Sequence, residues 1–266
     1  MAAGPGYLVA APASRDGCVR HPRHHPCRPC GPLLADGEDP VHVTELAHGL
    51  AYWAARWQPT PRTPTGRLTL ADAQTRPQAQ GLAPAAALAA VPRIADQSGG
   101  FRDRLPRLAG LAGWSAALAA PLIPGSPEQI RAWLAGLADA AVIRYLEYGH
   151  GNPVMLVHSA TAPTAILRTL PALSQDLWAP SAAAAWDAAA MLTAIYAPSE
   201  PAPPGTLPSA PAGPGAADET FARAVAHGDE HVIKFADTAA DVHARTGHAA
   251  ALAAAVHAAK LIPRQA

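Results

Sequence analysis

Apolar positions recur with a helical period along most of the chain. Val43, Leu46, Leu50, Trp53 and Trp57 fall at three- and four-residue spacing, which predicts a helix over residues 41–57, ended by Pro59, Pro61 and Pro64. Residues 58–100 mix proline with polar residues, with one short helix expected around 83–90, and a further helix is expected over 105–119. Ser126-Pro127-Glu128-Gln129 reads as a helix start: serine caps, proline suits the first turn, and glutamine stands where a capping box wants it. That helix runs to Tyr148, with Gly149 as its stop. The apolar run from Asn152 to Pro163 reads as buried, followed by a helix from about Pro163 to Leu170 and another over 181–196. Proline and glycine crowd residues 198–216, which predicts a mobile surface loop. Two final helices are expected over 217–245 and 248–262, parted by Gly247 and ended by Pro263.

No stretch alternates apolar and polar β-branched residues as a half-buried strand would. The fold class expected is all-α, as a single multi-helix domain over residues 38–263. Residues 1–37 break the pattern. Arg20 to Pro32 has neither period, and its prolines block both helix and strand, so this segment reads as a disordered leader.

Composition agrees with helix. Half of the 266 residues are apolar and alanine, the strongest helix former, dominates that half. Basic and acidic residues balance at 20 each, so no basic field recommends a nucleic-acid partner or an anionic membrane surface. No apolar run approaches the roughly 18 residues that span a bilayer, and no signal-peptide pattern opens the chain. The three cysteines, Cys18, Cys27 and Cys30, cannot frame a disulfide-stapled core. Together these features lead us to expect a cytoplasmic protein that binds neither membrane nor nucleic acid.

Candidate chemistry concentrates in Ala226 to Asp237. His227, His231 and Lys234 stand at i, i+4 and i+7, one face of a continuous helix, and Asp237 and Asp241 extend the stripe. Two imidazoles at this spacing reach one iron, zinc or copper ion. Lysine joins such a set once desolvated and converted by carbon dioxide to a carbamate. The plainer reading is a helix face laced with ion pairs, such as Asp229 or Glu230 with Lys234. His158 follows four apolar residues, as either a hydrogen-bonded core histidine or a ligand. Cys27-Arg28-Pro29-Cys30 with His21, His24 and His25 has zinc-ligand types without a turn-and-helix frame between them. His42 and His48 cannot share a helix face, and His150 reads as a loop residue. The tryptophans fall at helical spacing, as core residues do. There is no dinucleotide, phosphate-loop or esterase-elbow motif.

Three segments together resemble the questin oxidase-like family. Gly149 to Pro171 carries His158 and then Thr161-Ala162-Pro163, like that family's block with a buried histidine followed by a Thr-x-Pro turn. Gly228-Asp229-Glu230-His231-Val232-Ile233-Lys234 is similar to its Gly-Asp-x-His-x-x-Lys segment, and Glu45 to Ala54 to a further helix. The similarity covers about residues 40–262. It implies an oxidoreductase of secondary metabolism, of monooxygenase or dioxygenase type. The implied reaction oxidises or cleaves a ring of a small polycyclic aromatic or polyketide substrate with molecular oxygen. It further implies non-haem iron held by His158, His231 and a modified Lys234, with His227 a less regular match, and NADPH as electron donor. Members of the family are longer and carry histidine-bearing helices upstream, so the expectation is an N-terminally shortened member with an incomplete metal shell. The alternative is a non-catalytic helical remnant or binding module that keeps the fold.

Overall fold

The computed structural model describes residues 81–264, together with Thr44, Ala47, His48 and Ala51. The leader over 1–37, its cysteines and histidines, most of the helix expected over 41–57 with Trp53 and Trp57, and the segment 58–80 lie outside the described residues. Of the first helix, Thr44, Ala47, His48 and Ala51 are helical, and all four are exposed.

Over residues 81–264 there are nine α-helices, and no described residue is in a strand. They are α1 (Pro84–Ala89), α2 (Phe101–Arg104), α3 (Trp114–Ala119), α4 (Pro127–Tyr148), α5 (Pro153–Thr169), α6 (Trp178–Tyr196), α7 (Ala216–His227), α8 (Glu230–Thr246) and α9 (Ala249–Leu261). None is long and apolar enough to cross a membrane. The all-α expectation holds, but several boundaries move for reasons visible in the caps.

Helix α4 starts as its sequence dictates, with the Gln129 amide donating to Ser126 Oγ at 3.3 Å and Pro127 in the first turn. Its end is different. Gly149 is right-handed (φ −57°) and leads into a 3-10 turn over Gly149–Gly151. Glycine is needed there for space, since a Cβ would lie 2.8 Å from the Tyr145 ring. Helix α5 begins ten residues before the expected start. Asn152 caps it by accepting from the Met155 amide at 3.1 Å, and Pro153 takes the first turn. Pro163 lies inside α5, and Thr164 Oγ1 bonds back to the Ala160 carbonyl at 2.9 Å.

The helix expected over 217–245 is two helices. Gly228 takes the left-handed conformation (φ 87°), which only glycine adopts without strain, and ends α7. Asp229 then caps α8, accepting from the amides of His231 at 2.8 Å and Val232 at 3.3 Å. Residues 198–215 are irregular apart from one 3-10 turn at Pro204–Thr206, and Ala216 already opens α7. Near the start of this stretch Ala202 is buried and its amide donates to the Glu147 carbonyl at 2.7 Å.

Helices α4, α5 and α6 pack side by side, and α8 and α9 close over α4 and α5. Alanine lets them approach closely: Ala182, Ala183, Ala185, Ala189, Ala190 and Ala194 of α6 are wholly buried. Larger side chains fill the remaining space. Trp186 is fully buried with its indole N–H on the Leu118 carbonyl at 3.2 Å, and Trp114, Trp133 and Trp178 join the core as expected. Phe235 of α8 is fully buried and meets Tyr145 of α4 with ring centroids 4.4 Å apart.

Candidate histidine site at the α5–α8 contact

Helices α5 and α8 run parallel, which two contacts at their opposite ends establish. Near the start of each, His158 and His231 meet, with ring centroids 5.3 Å apart and planes 31° apart. Toward the end, Arg168 of α5 forks onto Asp237 at 2.6 Å and Asp241 at 2.5 Å of α8. A guanidinium bridging two carboxylates fixes register as well as adding energy. The two aspartates expected on the histidine stripe therefore serve this clamp.

His158 is buried on the same helix as the buried Leu156, Val157 and Ala160, and its Nδ1 is enclosed without a hydrogen-bond partner. Burial pushes its pKa down to about 4; the neighbouring His231 and Lys234 charges act the same way, and the Val154 carbonyl pulls weakly against them. At neutral pH it is an uncharged imidazole with a lone pair, the form that accepts a proton or binds a metal.

His231 is one-fifth exposed and held from two sides. Its Nδ1 lies 3.2 Å from Asp229 Oδ1, the same oxygen that caps the helix, and its Nε2 lies 3.8 Å from Glu230 Oε1. An ionised carboxylate only accepts, so in the contact with Asp229 the Nδ1 carries a proton and donates. Lys234 belongs to the same neighbourhood, since its charge acts on His158. Its Nζ pairs with Glu230 Oε2 at 3.3 Å.

His227 is not part of the ring pair, although its Nδ1 accepts from the Asp229 amide at 3.4 Å. The break at Gly228 leaves it as the last residue of α7, buried, with Nε2 3.0 Å from the Ile262 carbonyl. The i, i+4, i+7 stripe needed an unbroken helix and so does not form. His150 is exposed and His48 is exposed.

Among the described residues, no group of three or more His, Cys, Asp or Glu side chains is placed to hold a metal ion. A catalytic iron or zinc site takes about three protein ligands. The described residues thus supply a two-nitrogen pair and do not fit a complete non-haem iron centre.

Two features went unread in the sequence. Asp229 orients His231 in addition to capping, which its place one residue after Gly228 signals for the cap alone. His257 of α9 is buried with neither ring nitrogen hydrogen-bonded, and burial, Lys260 and His150 lower its pKa. The double duty of Asp229 makes a separable prediction. Asp229→Ala should cost about 1 kcal/mol in urea unfolding, the usual worth of a cap, while Asp229→Ser, which still caps, should cost little. Both should move the His231 proton from Nδ1 toward Nε2 in nitrogen NMR spectra, because neither side chain reaches the ring. An unchanged tautomer in both would show that Asp229 does not orient His231.

Comparison of the chain with protein families, with curated proteins and with solved structures returns no match.

Proposed function

We propose that the chain is an oxygen-dependent oxidoreductase acting on polycyclic aromatic or polyketide molecules, with its chemistry at His158 and His231. The observation that carries this reading is the 5.3 Å meeting of the two rings. They come from the two separate segments that resemble the questin oxidase-like family. The step that the chain's own residues supply is proton removal. A phenolic O–H of the substrate gives its proton to Nε2 of His231, whose other nitrogen is held by Asp229 in the arrangement of a base and its orienter. The resulting anion is electron-rich and is the form dioxygen oxidises. In a monooxygenation one oxygen atom enters the ring and the other leaves as water, with NADPH supplying the two electrons. Cytoplasmic residence goes with this reading, since that compartment supplies NADPH.

A second reading, a binding module that keeps the fold without the reaction, is favoured by the lack of a third metal ligand among the described residues. The two separate in one experiment. Purified protein is given NADPH and a panel of hydroxylated anthraquinones, while oxygen uptake and tryptophan quenching are followed together. The oxidoreductase reading expects uptake that His231→Ala reduces at least about a hundredfold, the lower end for a general base. Quenching without uptake, in the presence or absence of added ferrous iron, would establish the binding module.

A further inference from the structure

Five of the ten arginines among the described residues have a hydrogen-bond or ion-pair acceptor. Arg104 bonds the Gly99 and Ile195 carbonyls, Arg107 pairs with Asp96, Arg168 with Asp237 and Asp241, Arg223 with Glu219, and Arg245 with Asp139. Arg93 and Arg144 are different. Both guanidiniums lie against one ring, Tyr148, with Arg93 Cζ 5.0 Å and Arg144 Cζ 4.2 Å from its centroid. Neither makes an ion pair with a described residue, and the Nε of each is buried without a hydrogen-bond partner. Arg131 also has an orphaned Nε and stacks on Trp178, but as a single cation on its ring.

Two cations on one ring, each with a buried Nε unmet, repel one another, and a hydrogen bond between Arg144 and Tyr148 offsets part of that repulsion. Burial lowers the pKa of Arg144 and the Arg93 charge lowers it further, while Tyr148 and Glu147 oppose them. Buried polar groups are almost always paired with protein, water or an ion. The chain also keeps space beside them. Arg144, Tyr145, Tyr148 and Gly149 line a narrow cleft with room for about one water, together with Ser159 and Thr193, and Arg93 reaches it only through the Tyr148 ring. Tyr145 and Ser159 spend their hydroxyl protons on the Pro153 and Leu156 carbonyls. Among the described lining residues, Arg144 is the cation.

We propose that Arg93, Arg144 and Tyr148 form an oxyanion-binding site, a handle for a carboxylate or phosphate group beside the Tyr148 ring. A guanidinium fork matches either group with two parallel N–H donors, and an anion between the two forks replaces their repulsion with two attractions. The Tyr148 face holds both cations in place. This site stands on residues separate from the histidine pair and does not depend on the oxidation reading.

The test uses the full chain in HEPES buffer at fixed sodium chloride, titrated with inorganic phosphate or with benzoate. Binding is followed by calorimetry and by thermal midpoint. Saturable binding of phosphate alone assigns a phosphate-bearing ligand, and of benzoate alone an aromatic carboxylate. Arg93→Gln and Arg144→Gln should each weaken that binding about tenfold or more, as loss of a charged hydrogen bond does, and Arg223→Gln should not. Without added anion, the two variants should melt at or above the wild-type midpoint, because each removes half of a like-charge pair. The proposal is overturned if neither anion binds saturably, or if both variants bind as the wild type does. It is equally overturned if the variants melt several degrees lower without anion, which would make these arginines structural props.

Discussion

Replacing Phe235 by alanine lowers the stability of the domain by roughly 3–5 kcal/mol, the range for emptying a buried aromatic position. Phe235 is fully buried and its ring lies 4.4 Å from that of Tyr145. The Tyr145 hydroxyl is already tied to the Pro153 carbonyl at 3.1 Å, and the same ring closes on Gly149. The surroundings therefore have little freedom to collapse into the space left. Because Phe235 follows Lys234 on α8, the loss also loosens the helix that carries His231. Urea unfolding monitored by far-ultraviolet circular dichroism measures it. A change below about 1 kcal/mol would mean that α8 is not anchored through this contact.

Acidification produces the second large effect. The pKa of His158 falls from the ordinary 6.5 to about 4 in the folded chain. Between those values the unfolded chain binds a proton that the folded one excludes. Stability is therefore complete above about pH 6.5 and drains away as pH falls toward 4. A shift of this size corresponds to roughly 3 kcal/mol at the acid end. His257, also lowered by burial, adds to the loss with the same sign. Unfolding midpoints at pH 7 and pH 4.5 should differ far less in His158→Leu than in the wild type. An equal slope in the variant would place the acid sensitivity elsewhere.

Local rules carried the sequence reading where one element decides the matter. Ser126-Pro127 marked the start of α4 because capping needs only neighbours in the chain. The same rule was available at Asn152-Pro153, where α5 begins, and at Gly228-Asp229, where α7 ends and α8 starts. In the first case Pro163 was given too much weight. A proline lacks one donor and crowds one carbonyl, and a well-packed helix of 17 residues absorbs that. In the second, the glycine was read as a helical residue although an N-cap aspartate follows it directly. That single left-handed residue separates His227 from His231, so the error in local structure became an error in the site.

The meeting of His158 with His231 was beyond any local rule. It depends on α5 and α8 lying parallel in register, which the Arg168 clamp on Asp237 and Asp241 enforces from far along the chain. Sequence pattern marked each histidine as unusual for its surroundings, and resemblance suggested that they belong together. Spacing alone said neither how close they stand nor that Asp229 would hold one of them.

The account rests on those two histidines acting as one centre, and a double-mutant cycle in oxygen uptake tests it most directly. His158→Ala, His231→Ala and the double variant are compared with the wild type, using NADPH and whichever hydroxylated anthraquinone the wild type oxidises fastest. Residues that work as a unit are strongly non-additive, so the double variant should lose no more than the worse single one. Losses that multiply, or a single variant that retains full uptake, would contradict a shared centre.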